Sequence, residues 1–230
     1  MARVYVINKL KILYPVARNV QENGDKSYTV ITSGTYTTDG GHTSAGAIMI
    51  GGTLITSGDA KTYGRGGVAV LEDGRIVVSR MGMKPSTQKN FNKQDIIDGI
   101  QAIGEKYSVL GHTKVVDYMG GGAMVVENGQ IGKIDDLLML QKFNQGGSAY
   151  DSAQLRGARP RVAIGTTGSR ADLLIIEGDT KTEAGALASS YSNVVVFDGG
   201  YGFWAHEDRK NYHRPPDPQK GANATGLGVI

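Results

Sequence analysis

Apolar and polar residues along this chain fall into short runs separated by turn-forming residues. Aliphatic and β-branched side chains gather in Ala2–Ile7, Tyr28–Thr32, Ala45–Ile50, Gly67–Leu71, Arg75–Ser79, Val115–Tyr118, Ala123–Glu127, Arg161–Thr166, Ala171–Glu177 and Asn193–Phe197. Short runs of this kind, bounded by Gly, Asn or Asp, are strand signals. Two junctions are hairpins by their turn chemistry. Asp73-Gly74 separates Leu71-Glu72 from Arg75-Ile76, and Asn128-Gly129 separates Val126-Glu127 from Gln130-Ile131. Both dipeptides accept the positive φ that a tight turn requires.

One stretch changes period. Ile96, Ile97, Ile100 and Ile103 recur at helical spacing, which predicts a helix over Asn92–Tyr107 with Asn92 as its N-cap. Glu183–Tyr191, carrying Ala186, Leu187 and Ala188, is a shorter candidate, and Ile134–Phe143 is a third. Helices in the minority among many strands predict an α+β fold rather than a doubly wound one. The expected architecture is a sheet-rich single domain with many short strands and two or three helices. Asn144–Pro160, rich in Gly, Ser and Ala, reads as a loop. The chain shows no internal repeat. The domain is expected over residues 1–206, followed by a polar tail over 207–230 containing Pro215-Pro216 and Pro218. Such a tail is extended over the surface or disordered.

Composition sharpens this picture at few points. The chain has 34 glycines in 230 residues, about twice the ordinary share of roughly 7%. Many are paired and stand beside apolar runs, as short strands joined by tight turns require. The length is enough to bury a core without staples. A net charge of +3 with scattered Lys and Arg gives no basic stripe, so no nucleic-acid partner is expected. The absence of cysteine excludes disulfides, thiolate metal sites and a cysteine nucleophile. The N-terminal apolar run is too short for a signal peptide, and nothing approaches the roughly 20 apolar residues of a membrane helix. The expectation is therefore a protein without a membrane segment, cytoplasmic or carried on a virion. Its oligomeric state is left open.

The usual cofactor motifs are missing. His42, His112, His206 and His213 are scattered and form no His-x-x-x-His pair, which favours isolated histidines over a zinc cluster. No cofactor is called for, while a divalent cation held by carboxylates stays open. Gly165-Thr166-Thr167-Gly168-Ser169-Arg170 lacks the lysine and spacing of a P-loop, and Gly120-Gly121-Gly122 lacks the context of a dinucleotide fingerprint. There is no Gly-x-Ser-x-Gly elbow for a serine hydrolase. What stands out is Asn193-Val194-Val195-Val196-Phe197-Asp198-Gly199-Gly200-Tyr201-Gly202. It reads in two ways. Asp198-Gly199 is a good hairpin tip. Alternatively, the strand displays an acid beside a side-chain-free surface, a good place for chemistry on a bulky polar substrate.

Three ordered groups of segments carry a family resemblance. Thr32-Ser33-Gly34-Thr35-Tyr36 is followed by Ala45-Gly46-Ala47-Ile48-Met49-Ile50-Gly51-Gly52-Thr53-Leu54. Then comes Met119-Gly120-Gly121-Gly122-Ala123-Met124-Val125-Val126-Glu127-Asn128-Gly129-Gln130. The third runs from Arg159-Pro160-Arg161-Val162-Ala163-Ile164-Gly165 through Leu173-Leu174-Ile175-Ile176-Glu177-Gly178 to Phe197-Asp198-Gly199-Gly200. In this order, over about residues 28–205, the chain resembles the phosphodiester glycosidase family. The resemblance implies an α+β fold and hydrolysis of a sugar C1–O–phosphate linkage. It departs from the family at Thr32-Ser33-Gly34, where an Asn-Gly stretch is usual. Phe197 stands where Asn usually precedes the Asp-Gly-Gly, and Tyr201-Gly202-Phe203-Trp204 replaces the usual Ser or Thr.

The resemblance gives residues their implied roles. Arg161 would hold the phosphate as a bidentate donor; its alternative is a surface cation on an edge strand. Asp198 would be the catalytic carboxylate. Glu177 would pair with it if their strands are neighbours. Gly121, Gly122, Gly199 and Gly200 would admit the substrate as open backbone, and Ser33 would be a further substrate-binding residue. Tyr201 and Trp204 would stack on a sugar ring or pack in the core. His206 is a second acid or base, or a surface histidine. Glu127 either contributes to the site or decorates the Asn128-Gly129 hairpin. Two other functions compete. One is a non-catalytic module binding a glycan or teichoic-acid-like polymer on a viral or surface particle. The other is a cytosolic enzyme or sponge for a ribose-phosphate nucleotide signal.

Overall fold

The structure, a computed structural model, describes residues 2–14, 28–35, 37–38, 43–83, 91–109, 111–132, 160–176, 186–199, 205–207, 210–213 and 225–230. The strands are β1 (Ala2–Val6), β2 (Leu10–Leu13), β3 (Val30–Ser33), β4 (Thr37–Thr38), β5 (Thr43–Ser44), β6 (Ile48–Ile50), β7 (Thr53–Thr56), β8 (Gly66–Leu71) and β9 (Ile76–Arg80). Helix α1 (Lys93–Tyr107) follows. Then come β10 (Val115–Glu127), β11 (Gln130–Ile131), β12 (Arg161–Thr167), β13 (Arg170–Ile176), β14 (Asn193–Gly199), β15 (Ala205–Glu207), β16 (Lys210–His213) and β17 (Gly226–Val229). The fold is α+β and sheet-rich.

The large sheet runs β1-β13-β12-β14-β10-β6-β7, with β8 and β9 and the short β11 attached through β10. A second sheet runs β16-β15-β3-β17-β2. Between the two lies one apolar core. Leu10, Ile12, Val30, Leu227 and Val229 meet Val162, Ile164, Leu173, Ile175, Val195 and Phe197 there. On the outer face of β12–β14, Ala163, Leu174, Val194 and Val196 pack under Leu187 and Tyr191. Residues 186–190 form the helical part of that cover, within the expected Glu183–Tyr191 helix.

Helix α1 forms where the isoleucine spacing predicts it. Asn92 caps it by accepting from the Gln94 and Asp95 amides, and Asp95 reaches back to the Asn92 N–H. That reciprocal box satisfies amides that would otherwise lack partners. Ile96, Ile100 and Ile103 are buried against Met49, Leu71, Val77 and Tyr118, each contributing about 1.5–3 kcal/mol by leaving water. The Gln101 amide fixes the helix to the sheet through two 2.9 Å bonds to the Val115 backbone.

Two expectations change here. Val115–Tyr118 and Ala123–Glu127 are not two strands but one thirteen-residue strand, β10. Its first part pairs with β6 and β8 and its second with β14. Gly120–Gly122 lies where it changes partners. The stretch expected to be a tail contributes β16 and β17, and β17 is an inner strand between β2 and β3. Gly226 and Gly228 let little else than backbone be read there, so its alternating apolar signal is only Leu227 and Val229. The Ile134–Phe143 helix and nearly all of the Asn144–Pro160 loop lie outside the described residues. No helix among the described residues is long and apolar enough to cross a membrane.

Candidate active site

Strand pairing fixes the surroundings of Asp198. β14 continues through Asp198 to Gly199, so this Asp-Gly is not a hairpin tip. On one side Ala163 of β12 pairs with Val196, and Arg161 pairs with Gly199. Val162 alone on β12 therefore stands opposite both Phe197 and Asp198 on β14, a β-bulge at Phe197–Asp198. Bulges of this kind bend the strand and re-aim side chains, often beside active sites. On the other side Ala123 of β10 pairs with Val196. The preceding residue of β10, Gly122, packs against Val195, Val196 and Phe197, at the start of the bulge.

Arg161 is not a surface cation on an edge strand. β12 lies between β13 and β14, and Arg161 is 1% exposed, among the largest fully buried side chains. It is not without a partner. A buried guanidinium costs several kcal/mol unless its charge is compensated, so its position on β12, opposite the end of β14, is a strong local constraint. Phe197, the residue in place of the family's Asn, is fully buried in the core between the sheets.

Gly121 and Gly122 are not open backbone. Both are buried. Gly121 has φ +89°, a conformation that glycine adopts without strain. A Cβ on it would stand 2.5 Å from the Thr35 hydroxyl and 2.9 Å from Gly46 Cα. A Cβ on Gly122 would meet the Val196 carbonyl at 2.9 Å. Gly46 in turn packs directly on the Gly120 carbonyl. These glycines permit close backbone approach, and the segment they form braces β14 from beside.

The Ser44–Gly46 turn that meets Gly120 is itself pinned. The Ser44 hydroxyl donates to the Gly46 carbonyl at 2.7 Å. The Thr62 hydroxyl lies 2.7 Å from the Ala45 carbonyl and 2.8 Å from that of Asp59. Thr35, Ser44 and Thr62 escape a reading of the sequence because isolated hydroxyls among glycines carry no motif.

The remaining candidates separate. Glu127 is tied to Arg80, with Nη2 to Oε2 at 2.9 Å and Nε at 3.2 Å from both oxygens. It stands at the base of the Asn128-Gly129 hairpin. Glu177 lies outside the described residues, but β13, which precedes it, is not a neighbour of β14, because β12 intervenes. Strand adjacency therefore does not bring Glu177 to Asp198. Ser33 ends β3 opposite Gly226, and His206 lies in β15 opposite Ile31, both in the second sheet. Gly200, Tyr201 and Trp204 lie outside the described residues. Among the described residues no group of His, Asp and Glu is placed to hold a metal ion.

A second polar cluster had no signal in the sequence. Asp172 is fully buried. Its Oδ2 accepts from the Tyr191 hydroxyl at 2.7 Å and pairs with Arg170 Nε at 2.7 Å. Burial, with help from the Asp172 bond and charge, pushes the Tyr191 phenol up to about 12.

The architecture defines a class before any site chemistry is considered: two sheets packed face to face, with helices on the outer side of the larger one. Solved structures share it. The chain is similar to the zebrafish N-acetylglucosamine-1-phosphodiester alpha-N-acetylglucosaminidase catalytic domain, auto-inhibited by its pro-peptide. The TM-score is 0.64 at 13% identity, covering 100% of this chain and 82% of that one. It is also similar to a putative exported protein from Burkholderia pseudomallei, with TM-score 0.63 at 11% identity over 100% of this chain and 73% of that one. A hypothetical protein from Synechocystis gives TM-score 0.56 at 11% identity, covering 99% and 58%. At such identities the likeness concerns the fold. No curated protein matches the chain in sequence. The phosphodiester glycosidase family model matches residues 25–202, and the chain belongs to that family.

Proposed function

We propose that this protein hydrolyses a glycosidic phosphodiester, cleaving the bond between a sugar C1 and a phosphate oxygen. The observation that carries the reading is the pairing of Arg161 with Gly199 across a bulge at Asp198, within the region matched by the family. In this mechanism the Asp198 carboxylate takes a proton from water as the water oxygen bonds to C1. The C1–O bond breaks, and its electron pair leaves on the phosphate. A phosphate monoester is a good leaving group, so no second carboxyl is needed to protonate it, unlike the carboxyl pair of most glycosidases. The cation of Arg161 stabilises the negative charge that grows on the phosphate. Gly120–Gly122 acts indirectly, by holding β10 close enough to brace β14. Glu127, engaged by Arg80, stabilises the hairpin. Gly199 and Gly200 provide the side-chain-free approach, and Tyr201, Trp204, Ser33 and His206 are assigned to the sugar side.

The test is release of free sugar from UDP-N-acetylglucosamine, from a polyol-phosphate glycan and from a ribose-phosphate dinucleotide. Wild type should release sugar from at least one of the first two, and Asp198→Ala should not. Saturable glycan binding without turnover would replace the proposal with a binding module. Turnover of the dinucleotide alone would move the substrate to nucleotide signals.

A further inference from the structure

We infer that the C-terminal strand β17 is part of the machinery that positions this site, acting through Thr225. The inference rests on the site reading above. Residues after 202 lie outside the region matched by the family, yet β17 is inserted beside β3. Thr225, immediately before it, is fully buried. Its carbonyl accepts from the Gly34 N–H at 3.1 Å. Its hydroxyl donates to the Thr35 carbonyl at 3.4 Å. The approach is so close that a Cβ on Gly34 would stand 2.6 Å from Thr225 Oγ1 and 2.9 Å from the Met119 methyl. Thr225 thus holds both faces of the Gly34–Thr35 corner.

That corner transmits the constraint. The Thr35 side chain is buried against Gly121, and its hydroxyl has no partner among the described residues. A buried hydroxyl left unpaired is costly and uncommon, and the bonds from Thr225 to Gly34 and Thr35 help hold it there. Gly121 lies in the register shift between Met119 and Gly122 of β10, just before the strand takes up β14 at Ala123. The path runs from Thr225 to Gly34–Thr35, to Gly121, and through Gly122, which packs on Val196 and Phe197, to β14 at the start of the bulge. Thr225 is a positioning residue, remote from the reacting atoms.

The experiment uses the full chain with Thr225→Val, Thr225→Ser and a core control, Ile103→Val in α1. Sugar release is measured as kcat and KM, alongside thermal unfolding and amide exchange of the 119–123 segment. Thr225→Val should lower kcat about five- to tenfold with KM within twofold, raise exchange at 119–123, and leave exchange in α1 unchanged. Thr225→Ser should restore kcat. Ile103→Val should lower Tm without lowering kcat. Wild-type kcat and exchange in Thr225→Val would overturn the inference, as would a kcat loss that Ile103→Val reproduces at equal Tm. If wild type releases no sugar, altered exchange at 119–123 still supports the coupling while the catalytic reading fails, and unaltered exchange overturns both.

Discussion

Arg161 and Asp172 are buried charges on the same β12–β13 hairpin, four residues apart by register, since Gly165 pairs with Asp172. That spacing puts them about 13 Å apart along the strands. Alternation sets both on the face that also carries Ala163 and Leu174. Their settings differ. Asp172 is closed in by its own neighbourhood: Tyr191 from the helical cover and Arg170 from the hairpin both bond to Oδ2. Arg161 stands at the other end of the hairpin, where β14 bulges and the family's Asp-Gly-Gly motif begins. The pairing with Tyr191 fastens a helix to a sheet. The placement of Arg161 puts a cation beside a carboxylate-bearing bulge. One hairpin thus carries a structural charge at its turn end and, in the proposed mechanism, the phosphate-binding charge at its open end.

The comparison predicts opposite signatures. Asp198→Ala should lower sugar release by about 100- to 10,000-fold, the usual worth of a positioned acid or base, with Tm nearly unchanged. Arg161→Lys should cut kcat more than KM, because lysine keeps the charge but loses the planar fork; wild-type kinetics in this variant would remove Arg161 from the chemistry. Asp172→Ala should do the reverse. It should cost about 2–3 kcal/mol of stability by stranding the Tyr191 hydroxyl, as read by denaturant unfolding, and leave kcat near wild type. A large kcat loss at unchanged stability would collapse the distinction. Tyr191→Phe is the mildest, costing about 1 kcal/mol near neutral pH.

Tyr191 also gives a pH test. Its folded-state value, about 12, is above the unfolded value of 10.0. The protonated phenol is therefore favoured in the native state, and its stabilising share is complete below pH 10. That share declines as pH rises toward 12, since the unfolded state ionises first and binds fewer protons. Tyr191→Phe should flatten the unfolding free energy across that window. An unchanged slope would mean that burial and the Asp172 bond do not hold the Tyr191 proton in the native state.

The glycines show how far the sequence carries. Gly74 and Gly129 sit at hairpin tips with positive φ and nothing near where a Cβ would go. Their Asp-Gly and Asn-Gly dipeptides announce that. Gly46, Gly121 and Gly122 are equally glycine, yet they sit in a buried crossing. Gly46→Ala should accordingly cost about 3 kcal/mol or more, as overpacking against backbone. Gly74→Ala should cost about 1 kcal/mol, from φ alone. Nothing local marks Gly46, Gly121 and Gly122 as the buried kind, because the atoms that crowd them belong to distant segments.

The sequence by itself determined the local elements: the hairpins at Asp73-Gly74 and Asn128-Gly129, helix α1 with its Asn92 cap, and most of the strands. It also carried the ordered motifs that place the chain in its family. Turn dipeptides, caps and periodicity act within a few residues, so they can be read from a few residues. Only the tertiary structure decided that β10 is one strand changing partners at its glycines. The same holds for β17 entering the second sheet, for the burial of Arg161 beside a bulge, and for the Asp172–Tyr191 bond. Each depends on which distant strand becomes the neighbour, and that choice follows from burying all the apolar faces together.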